Sequence, residues 1–277
     1  MSIKKLIAED IGTIDITTLG LGIGMQNAKI EFRAKDDITL CGIEYLRAIM
    51  KEFDIEFKAH YKDGDEVSAT SLIFEATGVA RDLHKVWKIS QNTLEYLSGI
   101  ATYTKAMVKN AQKINPKVKI ATTRKNFPMT KELSIDAIIA GGATPHRLGL
   151  YDSVLIFDQH LNFLLTKEEL ENAFYNLKTN FLEKKIVVEV DNYESAKYFA
   201  SLGADVLQCE KMSTDELCKC VTLKKEFTHL IVSATGGVKL ENVEIFAECG
   251  VDLIVTSAPY HAKPLDIKVK LFPWETL

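Results

Sequence analysis

The stretch Ile186-Val187-Val188-Glu189-Val190-Asp191-Asn192 is a short β-rich run that stops in polar residues, and the pattern recurs through the second part of the chain. Similar runs stand at 118–121, 154–157, 206–208, 230–232 and 253–255, with helix-length gaps between them. Short apolar runs separated by helical spacers mark βα units and a parallel sheet. Each run ends in small or polar residues: Thr122-Thr123-Arg124-Lys125, Asp158-Gln159-His160, Asp191-Asn192, Glu210-Lys211, Thr235-Gly236-Gly237 and Thr256-Ser257-Ala258. In a parallel α/β barrel these positions line the mouth at the C-terminal ends of the strands, where active sites are built. Six runs fall short of a closed barrel's eight strands, so the sequence predicts an open, incomplete α/β barrel of TIM-like type.

Toward the N-terminus the rhythm changes. Ala28-Lys29-Ile30-Glu31-Phe32-Arg33-Ala34 alternates small or apolar residues with charged ones, as a half-buried strand does. A helix is expected over 44–53 and strands over 55–61 and 72–76, with a turn at Lys62-Asp63-Gly64-Asp65. From Asp82 on, Val86, Ile89, Thr93 and Leu97 fall at helical spacing, so a long helix near Ser98-Gly99 hands this small α+β domain over to a second unit. Residues 265–277 regain alternation at Ile267, Val269 and Leu271 and are expected to pair back with the first domain. The expected organisation is therefore an N-terminal domain of residues 1–104 joined by the strand in 265–277, and a barrel domain of residues 105–264. Gly20-x-Gly22-x-Gly24 lacks the spacing and context of a nucleotide loop and reads as a turn or a close backbone contact.

The chain has 277 residues, 47% of them apolar, and a net charge of -4, which argues against a nucleic-acid polymer as partner, since such binding needs a basic face. Cys41, Cys209, Cys218, Cys220 and Cys249 are odd in number and scattered. They form no legible disulfide framework or zinc pattern, and Cys218-Lys219-Cys220 lacks a second ligand pair. A reduced, cytoplasmic setting is expected. With Lys4, Lys5, Glu9 and Asp10 ahead of any apolar stretch, no secretory signal is expected, and no run reaches the roughly 18 uncharged apolar residues of a membrane span.

The charge is unevenly placed. Between 117 and 147, six cations (Lys117, Lys119, Arg124, Lys125, Lys131, Arg147) face two acids (Glu132, Asp136), a local +4 that leaves -8 elsewhere. Thr123-Arg124-Lys125 with His146-Arg147 suits a small polyanion at the barrel mouth, because Arg grips carboxylate or phosphate bidentately while Lys acts as a point charge. The alternative is a solvated helix surface. Thr235-Gly236-Gly237 and Thr256-Ser257-Ala258 follow late strands, where small residues let backbone N–H groups approach a phosphate. Glu189 and Glu210 end neighbouring strands opposite the cations, positioned to hold Mg²⁺ on a diphosphate or to stabilise a cationic sugar, or simply to pair with a lysine. His60, His84 and His229 read as structural, while Asp158 and His160 stand nearer the mouth.

These residues resemble the quinolinate phosphoribosyltransferase (nicotinate-nucleotide pyrophosphorylase) family. The matching motifs run in order from Glu9-Asp10 and Asp15-Ile16-Thr17 through Ser98-Gly99-Ile100-Ala101-Thr102, Thr123-Arg124-Lys125, Gly141-Gly142-Ala143 with His146-Arg147, and Gly149-Leu150-Tyr151-Asp152 to Gly236-Gly237. The resemblance implies an N-terminal α/β sandwich, an open α/β barrel and a homodimer with sites at the subunit interface, which could assemble further. It implies Mg²⁺-dependent transfer of phosphoribose from 5-phosphoribosyl 1-diphosphate to a ring nitrogen, releasing pyrophosphate. Thr123, Arg124, His146 and Arg147 would bind the acceptor, with Lys88 where the family offers an arginine from the neighbouring subunit. Lys125, Glu189 and Glu210 would be catalytic, and Glu189 and Glu210 would lie near the metal. Thr235, Gly236, Gly237, Ser257, Ala258 and His261 would hold the donor. One departure is Phe157, which stands after Val154-Leu155-Ile156 where quinolinate enzymes carry a lysine that contacts an acceptor carboxylate. An unpaired carboxylate in a pocket costs several kcal/mol, so the acceptor pocket is altered. Phe157-Asp158-Gln159-His160 and Thr256-Ser257-Ala258-Pro259-Tyr260 are similar to the ModD branch, named for molybdate transport. The rival expectation is therefore a non-catalytic binder of molybdate or another oxyanion on the same scaffold.

Overall fold

The computed structural model describes residues 3–12 and 14–275. It divides into two compact units, each held by its own sheet. The first comprises the described residues up to Lys105 together with Asn126–Gly142 and those from Pro259 on. Its antiparallel sheet contains β1 (Asn27–Ala34), β3 (Glu56–Ala59), β5 (Leu72–Val79) and β13 (Ile267–Pro273), in the order β13-β1-β5-β3. A two-stranded pair, β2 (Ile38–Thr39) and β4 (Glu66–Val67), stands apart from it. The alternation predicted for β1 is present: Ala28, Ile30, Phe32 and Ala34 are buried, while Lys29, Glu31 and Arg33 lie on the other face. Leu46, Ile49 and Met50 of helix Ile43–Glu52 join Ile30, Phe32 and Phe74 in one core. The C-terminal strand pairs with β1 in register from Ala28↔Pro273 to Ala34↔Ile267, as expected. Helix Ala80–Ile114 is 35 residues long. Among the described residues no helix is long and apolar enough to cross a membrane.

Several of the motifs that carry the resemblance lie in this unit and hold its structure. Asp15 Oδ1 accepts from the Thr18 N–H at 3.0 Å and caps helix Ile16–Gly20. Ser98 Oγ bonds both the N–H and the carbonyl of Cys41, and Thr102 Oγ1 accepts from Thr39 N–H at 2.8 Å. Gly99 faces the backbone of Lys263 and Pro264, where a Cβ would lie 3.2 Å from Pro264 Cα. Gly141 is pressed on the long helix in the same way, 2.6 Å from the Ala101 carbonyl for an added Cβ. In the glycine-rich segment, Gly22 turns at φ 68° and Gly24 receives the Arg81 N–H, a turn and a close contact as read.

The second unit, Ala106–Lys125 with Ala143–Ala258, is a parallel half-barrel. It contains β6 (Lys119–Thr122), β7 (Thr144–Pro145), β8 (Val154–Ile156), β9 (Ile186–Val190), β10 (Val206–Glu210), β11 (Ile231–Thr235) and β12 (Leu253–Thr256), ordered β7-β6-β12-β11-β10-β9-β8. Six of these are the predicted runs, and the seventh, β7, has two residues, one of them proline. β8 ends at Ile156, so Phe157 leaves the sheet and caps the short helix Asp158–Leu161. The reading of the cysteines needs one correction. Cys218 and Cys249, 31 residues apart, form a disulfide between the helix Thr214–Thr222 and the residue that ends the helix Val243–Glu248. Cys41, Cys209 and Cys220 are free and buried. Nothing in the spacing reveals that pairing, because helix packing alone brings the two positions to a Cα separation of 4.8 Å.

Candidate active site

The strand ends of the half-barrel surround a cavity of about 350 Å³. Its lining joins Thr123, Arg124 and Lys125 after β6, His146 and Arg147 after β7, Leu155 and Phe157 from β8, Glu189 on β9, Gln208 and Glu210 on β10, Thr235 on β11 and Val255 on β12. Period-two alternation explains the selection: Gln208 and Glu210 share one face of β10, while Leu207 and Cys209 turn to the other and are buried. Gln208 registers against Glu189, and Glu210 against Thr235.

The cationic side is built on a pinned turn. Thr123 N–H donates to the Thr256 carbonyl at 3.0 Å, and its hydroxyl shares a 3.0 Å hydrogen bond with Ser257 Oγ and accepts from Lys125 N–H at 3.2 Å. Across it, His146 N–H donates to the Thr122 carbonyl, and Asp152 Oδ2 closes the following turn by accepting from Leu148 N–H at 2.9 Å. Burial, with Arg147's like charge adding, lowers the pKa of His146, which is therefore a neutral imidazole at pH 7. Arg147 is also lowered by burial and by the nearby Arg124, yet it stays charged. Among the described residues no carboxylate pairs with Arg124, Lys125 or Arg147 at ion-pair distance.

The opposite side carries acids. Gln208 Nε2 donates to Glu189 Oε2 at 2.9 Å, while Gln208 Oε1 is buried without a partner. Burial raises the Glu189 carboxyl, Gln208 and Lys125 pull it down, and Glu210 and Asp158 push it up. Glu210 Oε1 lies 3.1 Å from Lys211 Nζ. Magnesium is a group these residues fit in one way. Glu189 and Glu210 supply hard oxygen donors, but among the described residues no cluster of three His, Cys, Asp or Glu could cage an ion. A pair of this kind suits an ion that takes its remaining ligands from a diphosphate and water.

The wall between the two sides is apolar. Phe157 stacks on His160 with ring centroids 5.8 Å apart, its N–H donates to His160 Nδ1 at 3.0 Å, and the Arg147 guanidinium sits 5.9 Å from the ring centre.

Of the expected residues, Thr123, Arg124, Lys125, His146, Arg147, Phe157, Glu189, Glu210 and Thr235 thus meet in one cavity. Gly236, Gly237, Ser257 and Ala258 adjoin it without lining it; Gly236 and Gly237 take φ of 89° and 73°, and Ala258 N–H donates to Thr256 Oγ1. Lys88 and His261 belong to the first unit, where Lys88 Nζ donates to Gln91 Oε1 and lies over the Trp87 ring, and His261 closes a 3₁₀ turn. Gln208 and Gln159 were missed. The spacing of Gln208 two residues before Glu210 on a buried strand is the signal that could have found the former.

The C-terminal domain of quinolinate phosphoribosyl transferase matches residues 100–270, and its N-terminal domain matches 15–98. A Pasteurella multocida protein provisionally named pyrophosphorylase ModD is 36% identical over 96% of this chain and 95% of its own. A Methanocaldococcus jannaschii protein provisionally named nicotinate-nucleotide pyrophosphorylase (carboxylating) is 32% identical over 99% and 97%. Among solved structures, nicotinate-nucleotide pyrophosphorylases from Francisella tularensis and Ehrlichia chaffeensis superpose with TM-scores of 0.88 and 0.89 at 25% and 26% identity. They cover 98% of this chain in both cases, and 94% and 97% of their own.

Proposed function

The chain belongs to the quinolinate phosphoribosyltransferase family, and on that premise we propose that it transfers phosphoribose from 5-phosphoribosyl 1-diphosphate to an anionic aromatic N-heterocycle related to nicotinate, releasing pyrophosphate. The observation that carries this reading is the separation of charge within one cavity, with Arg124, Lys125 and Arg147 on one side and Glu189 and Glu210 on the other.

In this mechanism Arg124 and Arg147 grip the acceptor's carboxylate, and neutral His146 adds a hydrogen bond, so that the ring nitrogen faces the sugar. The bond from C1 of the ribose to the diphosphate oxygen breaks as the new bond from C1 to nitrogen forms, and the electron pair leaves with pyrophosphate. Lys125 lowers the energy of that leaving charge. Glu189 and Glu210 stabilise positive charge on the ribose at the midpoint of transfer, and Gln208 holds the Glu189 carboxylate in place. Bound Mg²⁺ would neutralise the diphosphate and draw on Glu189 and Glu210. Phe157 gives the acceptor ring an apolar wall and offers no partner to a second carboxylate, which argues against quinolinate as the preferred acceptor. The active form in this reading is a homodimer in which Lys88 of one copy serves the other's site.

Pyrophosphate release with Mg²⁺ and the donor, measured across pyridine mono- and dicarboxylates, tests the proposal. Release that depends on a monocarboxylate supports it. The rival oxyanion binder would instead be stabilised by molybdate and show no thermal shift with the donor.

A further inference from the structure

Among the described residues, four non-glycine residues have positive φ: Asp54, Thr70, Met129 and Lys211. The first three belong to the first unit; Lys211, at φ 53°, directly follows cavity-lining Glu210. A left-handed lysine costs about 1–2 kcal/mol, and glycine is the usual occupant of such a position. The side-chain ion pair does not fully offset that cost, and a glycine would keep the backbone hydrogen bond. The Lys211–Glu210 pair has a lysine side chain 76% exposed, and pairs so exposed contribute at most about 1 kcal/mol. Strain held in this way at a cavity rim points to function.

The surroundings show what the strained backbone achieves. Lys211 N–H continues the sheet by donating to the Thr235 carbonyl at 2.9 Å, which anchors the residue between β10 and β11. Its side chain then crosses Gly236: a Cβ there would lie 2.5 Å from Lys211 Cγ, 2.9 Å from Lys211 N and 3.0 Å from Glu210 Oε1. Gly236 is therefore kept small by the lysine stem and Glu210, whereas Gly237 faces open space. The stem thus lies across the glycine turn, and the ammonium is delivered to Glu210 on the acidic side of the cavity. Arg124, Lys125 and Arg147 against Glu189 and Glu210 give the lining one net positive charge, little for a donor that bears a monophosphate and a diphosphate; Lys211 doubles it.

We propose that Lys211 is a donor-binding residue whose ammonium engages a phosphate group at the rim beside Glu210 and Gly236. This rests on the phosphoribosyl reading above and adds to it a residue outside the set expected from the sequence.

Lys211→Met, Lys211→Arg and Lys211→Gly, titrated calorimetrically with 5-phosphoribosyl 1-diphosphate, inorganic pyrophosphate and ribose 5-phosphate, test it. Met and Gly are expected to weaken the donor and one of the two smaller phosphates about tenfold, and Arg by less than about threefold. The probe that weakens identifies which phosphate the ammonium meets. Lys211→Gly should also melt at a higher temperature than the wild type, since it relieves the left-handed backbone. Unchanged phosphate affinity in Lys211→Met, or an equal loss in Lys211→Arg, overturns the proposal. A wild type that binds the phosphates but transfers phosphoribose to no acceptor refutes the proposed function instead and leaves the lysine to be judged on the probe affinities.

Discussion

The two sheets use the same charged residue types in opposite ways. On the outer face of the antiparallel sheet, Lys29 Nζ reaches Glu75 at 2.6 Å and Glu31 at 3.3 Å, Arg33 reaches Glu31 at 2.9 Å, and His60 bonds Glu75 at 3.0 Å. Each of these five groups has an opposite neighbour across or along the strands, as cross-strand pairing favours. At the ends of the parallel strands, Arg124, Lys125 and Arg147 are held apart from the acids and have no carboxylate at ion-pair distance among the described residues, whereas Lys211, just past β10, meets Glu210. A cross-strand network stabilises the fold, whereas separated charges leave a field that only a ligand completes. Charge type alone therefore does not mark a site, but charge that the fold leaves uncompensated does.

If that contrast holds, substitutions should divide into those that remove activity and those that remove stability. The largest effect is expected from Arg147→Ala, which should lower kcat/KM for the acceptor by about a hundredfold or more, because a charge-assisted contact in a pocket contributes roughly 2–5 kcal/mol. Its circular dichroism spectrum should match the wild type. Next comes Phe157→Lys, which places a cation on the apolar wall; about a tenfold rise in the ratio of quinolinate to monocarboxylate turnover is expected, read from competition between the two acceptors. Gln208→Leu should reduce kcat several-fold as Glu189 loses its donor, yet change the melting free energy by less than about 1 kcal/mol, since it also removes a buried carbonyl without a partner.

The smallest effect, and the reverse in kind, belongs to Glu75→Gln. The hydrogen bond from Lys29, with a smaller one from His60, holds the Glu75 carboxyl below its ordinary value of 4.5, against the opposing effect of burial. A folded pKa below the unfolded one gives stability that is present above about pH 4.5 and is lost as pH falls through the folded value. Denaturant unfolding should therefore show the wild type about 1 kcal/mol more stable than Glu75→Gln at neutral pH, with the gap closing toward pH 3, while activity per folded molecule is unchanged. A Glu75→Gln enzyme with altered kcat would blur the contrast.

Much of this was legible in the sequence, for reasons particular residues make plain. Val187, Val188, Leu207 and Val232 are buried from both sides, so their strands read as short continuous apolar runs, and the alternation in β1 and β13 announced a sheet with one wet face. β7 escaped notice because two residues, Thr144 and Pro145, carry no period, and only pairing with Ala121 and Thr122 makes them a strand. Arg124, His146 and Glu189 could be expected at the mouth because they follow or end such runs. Gln208 hid inside a run as a polar residue among apolar ones, and its role is visible only once β9 and β10 are in register. The Cys218–Cys249 pairing depends on how two helices pack, which no local pattern encodes.

The central claim is that the separated charges of the half-barrel form a site for a phosphoribosyl donor. Calorimetric titration of the wild-type protein with 5-phosphoribosyl 1-diphosphate and Mg²⁺ tests it most directly. The account predicts saturable binding at one site per chain, with an affinity that falls as salt is raised and falls by about tenfold or more in Lys125→Met. No heat of binding to the wild type at millimolar donor, with molybdate raising the melting temperature of the same sample, would contradict it.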